Sequence, residues 1–257
     1  MSFKASAVVA RQTLLEAART RLPWTALTVM VGALLLAECA AALALTDSQS
    51  YRIEIYAAFT RLALVALTTL FVAHSVMREL ADRVIDLSLS RPVSRSAWFI
   101  GRLLGFSVAV ALLGIVAALP LAFTSTPLAA LAWGVSLAAE LCIVAAASLS
   151  AAVALTQLNA TVLAVGAFYV LARMMGAIVL MSHGPAVDAG ATSSIVIAQL
   201  VNALALLLPA LDDYTRSAWL TAGGAGFAAL PAIAVQTVIY VALLAAVGLF
   251  DFTRREI

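Results

Sequence analysis

The sequence predicts an all-α integral membrane protein with six transmembrane helices, organised as a single membrane domain over residues 1–257. Three observations carry that prediction. Of 257 residues, 64% are hydrophobic and 11% charged, whereas a soluble domain is about half apolar and about one quarter charged. The apolar residues gather into runs of about 20, the length a helix needs to cross roughly 30 Å of hydrocarbon with its backbone satisfied. The basic residues fall in alternate gaps between those runs, as they do where short cytoplasmic loops retain Lys and Arg.

The composition also excludes several classes of function. A net charge of +2 without a basic stripe leaves no nucleic-acid footprint. Cys39 and Cys142 lie inside apolar runs and form no CxxC pair, so neither a disulfide framework nor a zinc site is indicated.

Taken in order, residues 1–22 mix Lys4, Arg11, Glu16 and Arg19 with Val8, Leu14, Leu15 and Leu22, which predicts an amphipathic helix lying in the membrane interface. The first apolar run starts near Pro23 and is too long for a signal-peptide core of about 7 to 15 residues, so it is a retained span. The six spans are expected at 24–45, 55–76, 98–123, 128–155, 161–181 and 230–250. Lys4, Arg11, Arg19 and Arg21 precede the first, and Arg78, Arg83, Arg91, Arg95 and Arg102 lie around the gap between the second and third. Arg254 and Arg255 follow the sixth. All three segments fall on one side of a six-span chain, which predicts both ends in the cytoplasm and residues 78–97 as the main cytoplasmic loop. Between the fifth and sixth spans, residues 183–229 hold two apolar pieces, "IVIAQLVNALALLL" and "AWLTAGGAGFAAL", separated by Pro209 and "LDDYTR". Pieces this short are more often re-entrant than spanning, so two short outer helices are expected there.

Residues 78–97 are unusually charged for this chain. Leu80, Val84 and Leu87 recur at helical spacing while Glu79, Asp82, Arg83 and Asp86 take the other face. That pattern predicts a short amphipathic helix. Arg91 before Pro92 favours a break, after which Ser94 or Ser96 caps the third span and Trp98 suits the interface. A rigid, two-signed helix between two spans suits a membrane protein that receives force from a soluble partner.

The stretch "RELADRVIDLSLSRPVSRSAWFIGRLLG" resembles the signature loop of type-2 ABC transporter permeases. The matching positions are Arg78, Glu79, Ser90, Arg91, Pro92, Val93, Ser94, Arg95, Gly101 and Gly105; Arg102 stands where the family usually has lysine. The tail "LFDFTRREI" and the element "LLLPALDDY" are similar to the family's basic cytoplasmic end and its proline-containing outer region. Within the family the chain is most similar to permeases associated with the maturation of copper enzymes such as nitrous oxide reductase. The resemblance implies the transmembrane subunit of an exporter in a bacterial inner membrane. Its coupling loop, with Arg78, Glu79, Asp82, Arg83, Asp86, Arg91, Pro92 and Arg95 as the coupling residues, would seat its helix on a separate cytoplasmic ABC ATPase. Two permeases and two ATPases would form the assembly, with a periplasmic partner expected at the outer region. A Walker A motif needs a lysine on phosphate, and the sole lysine is Lys4. The chain is therefore expected to be no enzyme and to bind no cofactor; ATP and Mg would sit on the ATPase.

Four ionisable residues fall within spans: Glu38, Arg61, Glu140 and Arg173. Charges at this depth are costly and face protein or water. Counted from the outer span ends, Glu38 matches Arg61 and Glu140 matches Arg173, which predicts two pairs acting as packing clasps or as a gate. Met174, Met175, Met181 and His183 could bind Cu(I) by type, but methionines on an apolar helix usually fill gaps, and no metal site is predicted. His74 and His183 lie near opposite ends of their spans, which argues against haem. The competing functions are a secondary transporter or channel using the four intramembrane charges directly, and a non-transporting scaffold. The first would show an inverted repeat with broken helices, and none is evident.

Overall fold

The computed structural model describes residues 2–44, 47–81, 94–182, 192–221 and 226–254. Every α-helix within them is set by the apolar runs and their punctuation. They are α1 (Ser2–Arg19), α2 (Leu22–Leu43), α3 (Ser48–Ala81), α4 (Arg95–Ala117), α5 (Leu121–Thr124), α6 (Pro127–Leu155), α7 (Leu158–Ser182), α8 (Thr192–Leu207), α9 (Ala218–Thr221) and α10 (Gly226–Arg254), with a 3-10 turn at Leu211–Asp213. Six stretches are long and apolar enough to cross a membrane: α2, α3, α4 with α5, α6, α7 and α10. The piece Val196–Leu207 joins Leu211–Thr221 at a bend of 66°, and would count as a seventh if both halves made one span.

Caps mark the boundaries. Ser94 accepts from the Ala97 amide at 3.3 Å and so starts α4; Thr126 caps α6 in the same way, with Pro127 in its first turn. Thr156 takes a left-handed conformation, φ 52°, and ends α6. α3 has 34 residues and is about 51 Å long at 1.5 Å per residue. That exceeds the hydrocarbon by several turns, so Arg78 and Glu79 continue the spanning helix instead of opening a new one.

Two differences from expectation concern the outer region. Its second apolar piece is divided between α9 and the start of α10, so the last span begins at Gly226 and not at Leu230. Pro231 lies inside that helix; a proline forfeits one backbone bond, and near a helix start the remaining turns carry the loss. Asp82, Arg83 and Asp86 of the expected coupling helix, and Arg91 and Pro92 at its expected break, lie outside the described residues.

α6 sits at the centre, touched by α3, α4, α7 and α10, and 78% of its spanning window is buried against 11% for α10. Its wholly enclosed Trp133, Leu137, Leu141 and Leu149 form the middle of the core. α2 buries Leu22, Ala26, Met30, Ala33, Ala37 and Ala41, one narrow stripe at helical spacing whose small side chains let α3 approach closely. The broad remainder of α2, including Trp24, Leu27 and Leu35, is exposed, as a lipid-facing surface is.

α1 packs lengthwise on α4. A Cβ added at Gly101 would lie 2.8 Å from the Ser6 carbonyl oxygen, and one at Gly105 2.8 Å from that of Ala10. No other residue fits there without parting the helices. α1 buries Ser6, Thr13 and Ala17 on this side and leaves Arg11, Leu15 and Arg19 exposed or nearly so.

Candidate functional site

The helix ends that flank residues 82–93 are fastened by one guanidinium. Arg102, on the first turns of α4, is 3% exposed. Its Nε donates to Glu79 Oε2 at 3.1 Å and a second nitrogen meets Glu79 Oε1, so the last turn of α3 is held by a fork. Nη1 donates to Glu16 Oε2 at 2.7 Å and to Thr13 Oγ1 at 3.2 Å, which adds α1. Ser75 donates to the other Glu16 oxygen at 2.7 Å. One planar cation thereby joins three helices, a geometry that lysine's single ammonium does not offer. The faces of Trp98 and Phe106 flank the guanidinium, at 6.0 and 5.3 Å to their centroids.

The far stem is tied to the last span. Arg95 donates to the Phe252 carbonyl oxygen at 3.4 Å and lies 6.0 Å from the centroid of its ring. Trp98 stacks obliquely on the same ring at 5.4 Å. Arg78 is exposed on the last turn of α3. Residues 78–81 and 94–97 are thus bolted to α1 and α10, and motion at the loop would be passed to four helices at once.

At the other end of the bundle the 209–221 segment enters between the helices. Leu211, Tyr214 and Thr215 are almost completely enclosed. Thr215, with φ 47°, is the hub: its amide donates to Ser136 Oγ at 3.0 Å, and its hydroxyl donates to Glu140 Oε2 at 2.9 Å. The same hydroxyl accepts from Arg173 at 3.3 Å and from Arg61 at 3.4 Å. Tyr169 donates to Glu140 Oε1 at 2.8 Å. Arg173 also donates to the Leu211 carbonyl and, at 3.0 Å, to that of Tyr214. The Tyr214 hydroxyl donates to the Ile233 carbonyl at 3.2 Å and lies 3.0 Å from Thr237 Oγ1 on α10.

No family model matches the chain. A search of curated proteins finds no match either.

Among the four intramembrane charges, Glu140 and Arg173 come together, with 3.8 Å between charged atoms. Glu140 is fully buried, and its closest partners are the two hydroxyls. The expected pairing of Glu38 with Arg61 is corrected: Glu38 meets Arg52 at 3.1 Å, on a partly exposed surface, while Arg61 turns toward Thr215. The cause is hairpin register. Residues facing each other across an antiparallel pair lie equally far from the helix ends they share, and with α2 ending at Leu43 and α3 beginning at Ser48 Glu38 falls opposite Arg52. Arg61 lies nine residues further along α3, about 13 Å deeper.

Sequence reasoning assigns Ser75 and Thr215 no role, places Glu16 only on an interfacial helix, and shows Arg102 only as a basic residue beside the loop, standing where the family usually has lysine. A buried arginine needs acids within reach. Glu16 and Glu79 were visible as charges flanking the same end of the chain's spans; only the folding of α1 onto α4 made them neighbours. Among the described residues no group of His, Cys, Asp and Glu has the arrangement to hold a metal ion.

Proposed function

We propose that this chain is the permease subunit of an ATP-driven ABC exporter of the type-2 class, in a bacterial inner membrane. Hydrolysis belongs to a separate cytoplasmic ATPase that seats on residues 78–97. The observation that carries the proposal is the Arg102 fork. It joins the ends of α3 and α4 that flank residues 82–93 to α1. Force applied there would tilt α3 and α4 as a unit. An ordinary solvated loop has no need of a buried cation joining its stems, since burying that charge costs several kcal/mol unless its partners are in place.

In this scheme both ends of the chain are cytoplasmic, six helices span, and the segment 192–221 is a re-entrant outer element. Its 209–221 portion plugs the bundle and is held by Glu140, Arg173 and Thr215. Two copies would flank a path, with ATP and Mg bound by the ATPase pair. The outer element is the surface on which a periplasmic partner, such as a copper enzyme under maturation, would act.

The test is purification of the full chain from its native membrane together with any associated ATPase. A nucleotide-hydrolysing subunit should co-purify. Its hydrolysis should lose dependence on this chain when Arg83→Glu and Asp86→Lys reverse the charges of the loop. Transport by the purified chain alone, without nucleotide, would defeat the proposal.

A further inference from the structure

At the basic end of the bundle two cavities adjoin. The first, of about 400 Å³, lies where three helix ends meet: Arg21 and Leu22 open α2, His74 and Arg78 occupy the last turns of α3, and Leu158 opens α7. Its floor is apolar, made by Leu67, Leu70 and Phe71, and its rim carries Thr20, Thr25 and the basic side chains. The second, of about 540 Å³, shares Leu70 and Leu158 with the first and continues along α7 past Val162, Gly166 and Val170. A polar, basic mouth therefore leads into an apolar trough.

We propose that the double cavity binds an anionic phospholipid of the leaflet at this end, its phosphate beside Arg21 and His74 and one acyl chain along α7. Charge selects the headgroup. Among the described residues Glu16 is the one acid of the lining, and its two oxygens are already taken by Ser75 and Arg102. Arg21 thus lines the mouth beside His74, with no free carboxylate among the described lining residues to repel a phosphate. Length selects the tail. From Leu158 to Val170 the trough rises about 18 Å, close to the roughly 15 Å depth of one leaflet's hydrocarbon. Position agrees as well, because the mouth lies at helix ends, where headgroups are, and basic pockets between spanning helices are a recurrent setting for acidic lipids. The site does not rest on the permease proposal; it would serve any membrane protein with this bundle.

The test uses the detergent-solubilised full chain, titrated in mixed micelles with phosphatidylglycerol or phosphatidylcholine, with bound lipid counted by native mass spectrometry. Phosphatidylglycerol should be retained and phosphatidylcholine should not. Arg21→Gln should weaken retention about fivefold, the worth of one basic residue near a headgroup. Gly166→Leu keeps every charge and places its side chain in the trough. A Cβ there meets nothing within 4 Å, and leucine is the better helix former, so the variant folds, and it should also lose the lipid. Equal retention of the two lipids, or unchanged retention in Gly166→Leu, would overturn the proposal. So would displacement of the lipid by millimolar inorganic phosphate, which would mark a site for the anion alone.

Discussion

Arg102 lies within the third span's first turns, buried to 97% of its surface, with two carboxylates in contact. Its weight follows from what each partner would lose. Glu38 and Arg52 form a partly exposed pair, and such pairs contribute roughly 0–1 kcal/mol. Removing one partner of a buried cluster instead strands the rest, at about 3–5 kcal/mol. Arg102→Leu is therefore expected to lower the thermal unfolding temperature in detergent sharply, and Glu38→Gln hardly at all. Arg102→Lys should fall between, since one ammonium keeps the charge but cannot hold Glu79 by a fork and reach Glu16 and Thr13 together. Equal melting of Arg102→Leu and the parent would show that the fork contributes no stability.

The 209–221 plug is held at the level of elements, by one residue that touches three of them. Thr215 joins the 209–221 segment to α6 through Ser136 and Glu140 and receives the arginines of α3 and α7. It does so with φ 47°, a conformation that β-branched residues adopt only at a cost of about 1–3 kcal/mol. The threonine hydroxyl, with Glu140, Arg173 and Arg61 on it, offsets that strain. Thr215→Val keeps the shape and removes the donor to Glu140, leaving a buried carboxylate oxygen without its hydrogen bond, which costs about 1–3 kcal/mol. Hydrogen exchange of residues 209–221 should quicken in Thr215→Val and stay near the parent rate in Thr215→Ser, which keeps the hydroxyl. No change in either variant would place the plug's anchorage elsewhere, on the enclosed Leu211 and Tyr214.

For the whole molecule, orientation follows from where the bundle collects its charge. Arg19, Arg21, Arg78, Arg95, Arg102 and Arg254 all belong to helix ends at one side, whereas Asp212, Asp213 and Arg216 belong to the other, where Asp213 and Arg216 meet each other. Short basic segments are retained in the cytoplasm. In a chain whose Cys39 and Cys142 are replaced by alanine, thiols introduced as Arg11→Cys and Arg254→Cys should react only after the membrane is opened. Asp213→Cys should react in intact cells. The reverse pattern would invert the protein, and with it the side from which an ATPase could reach residues 78–97.

Apolar run length and the placement of Lys and Arg made the six long helices legible in sequence, because a helix in lipid must satisfy its own backbone and so announces itself locally. The meeting of Glu140 with Arg173 was legible too: both lie nearly the same number of residues from Thr156, where α6 turns back into α7. Register from that turn, applied to the first hairpin, would also have given Glu38 its true partner. The Arg102 fork and the Thr215 hub were not legible. Their members are scattered from residue 13 to residue 102 and from residue 61 to residue 215, and no periodicity relates them. Composition and spacing alone determined that the chain has helices able to cross a membrane; which polar groups close on one another inside the bundle was decided by tertiary packing, since a buried charge takes its partners from whatever helix the fold brings within about 3 Å.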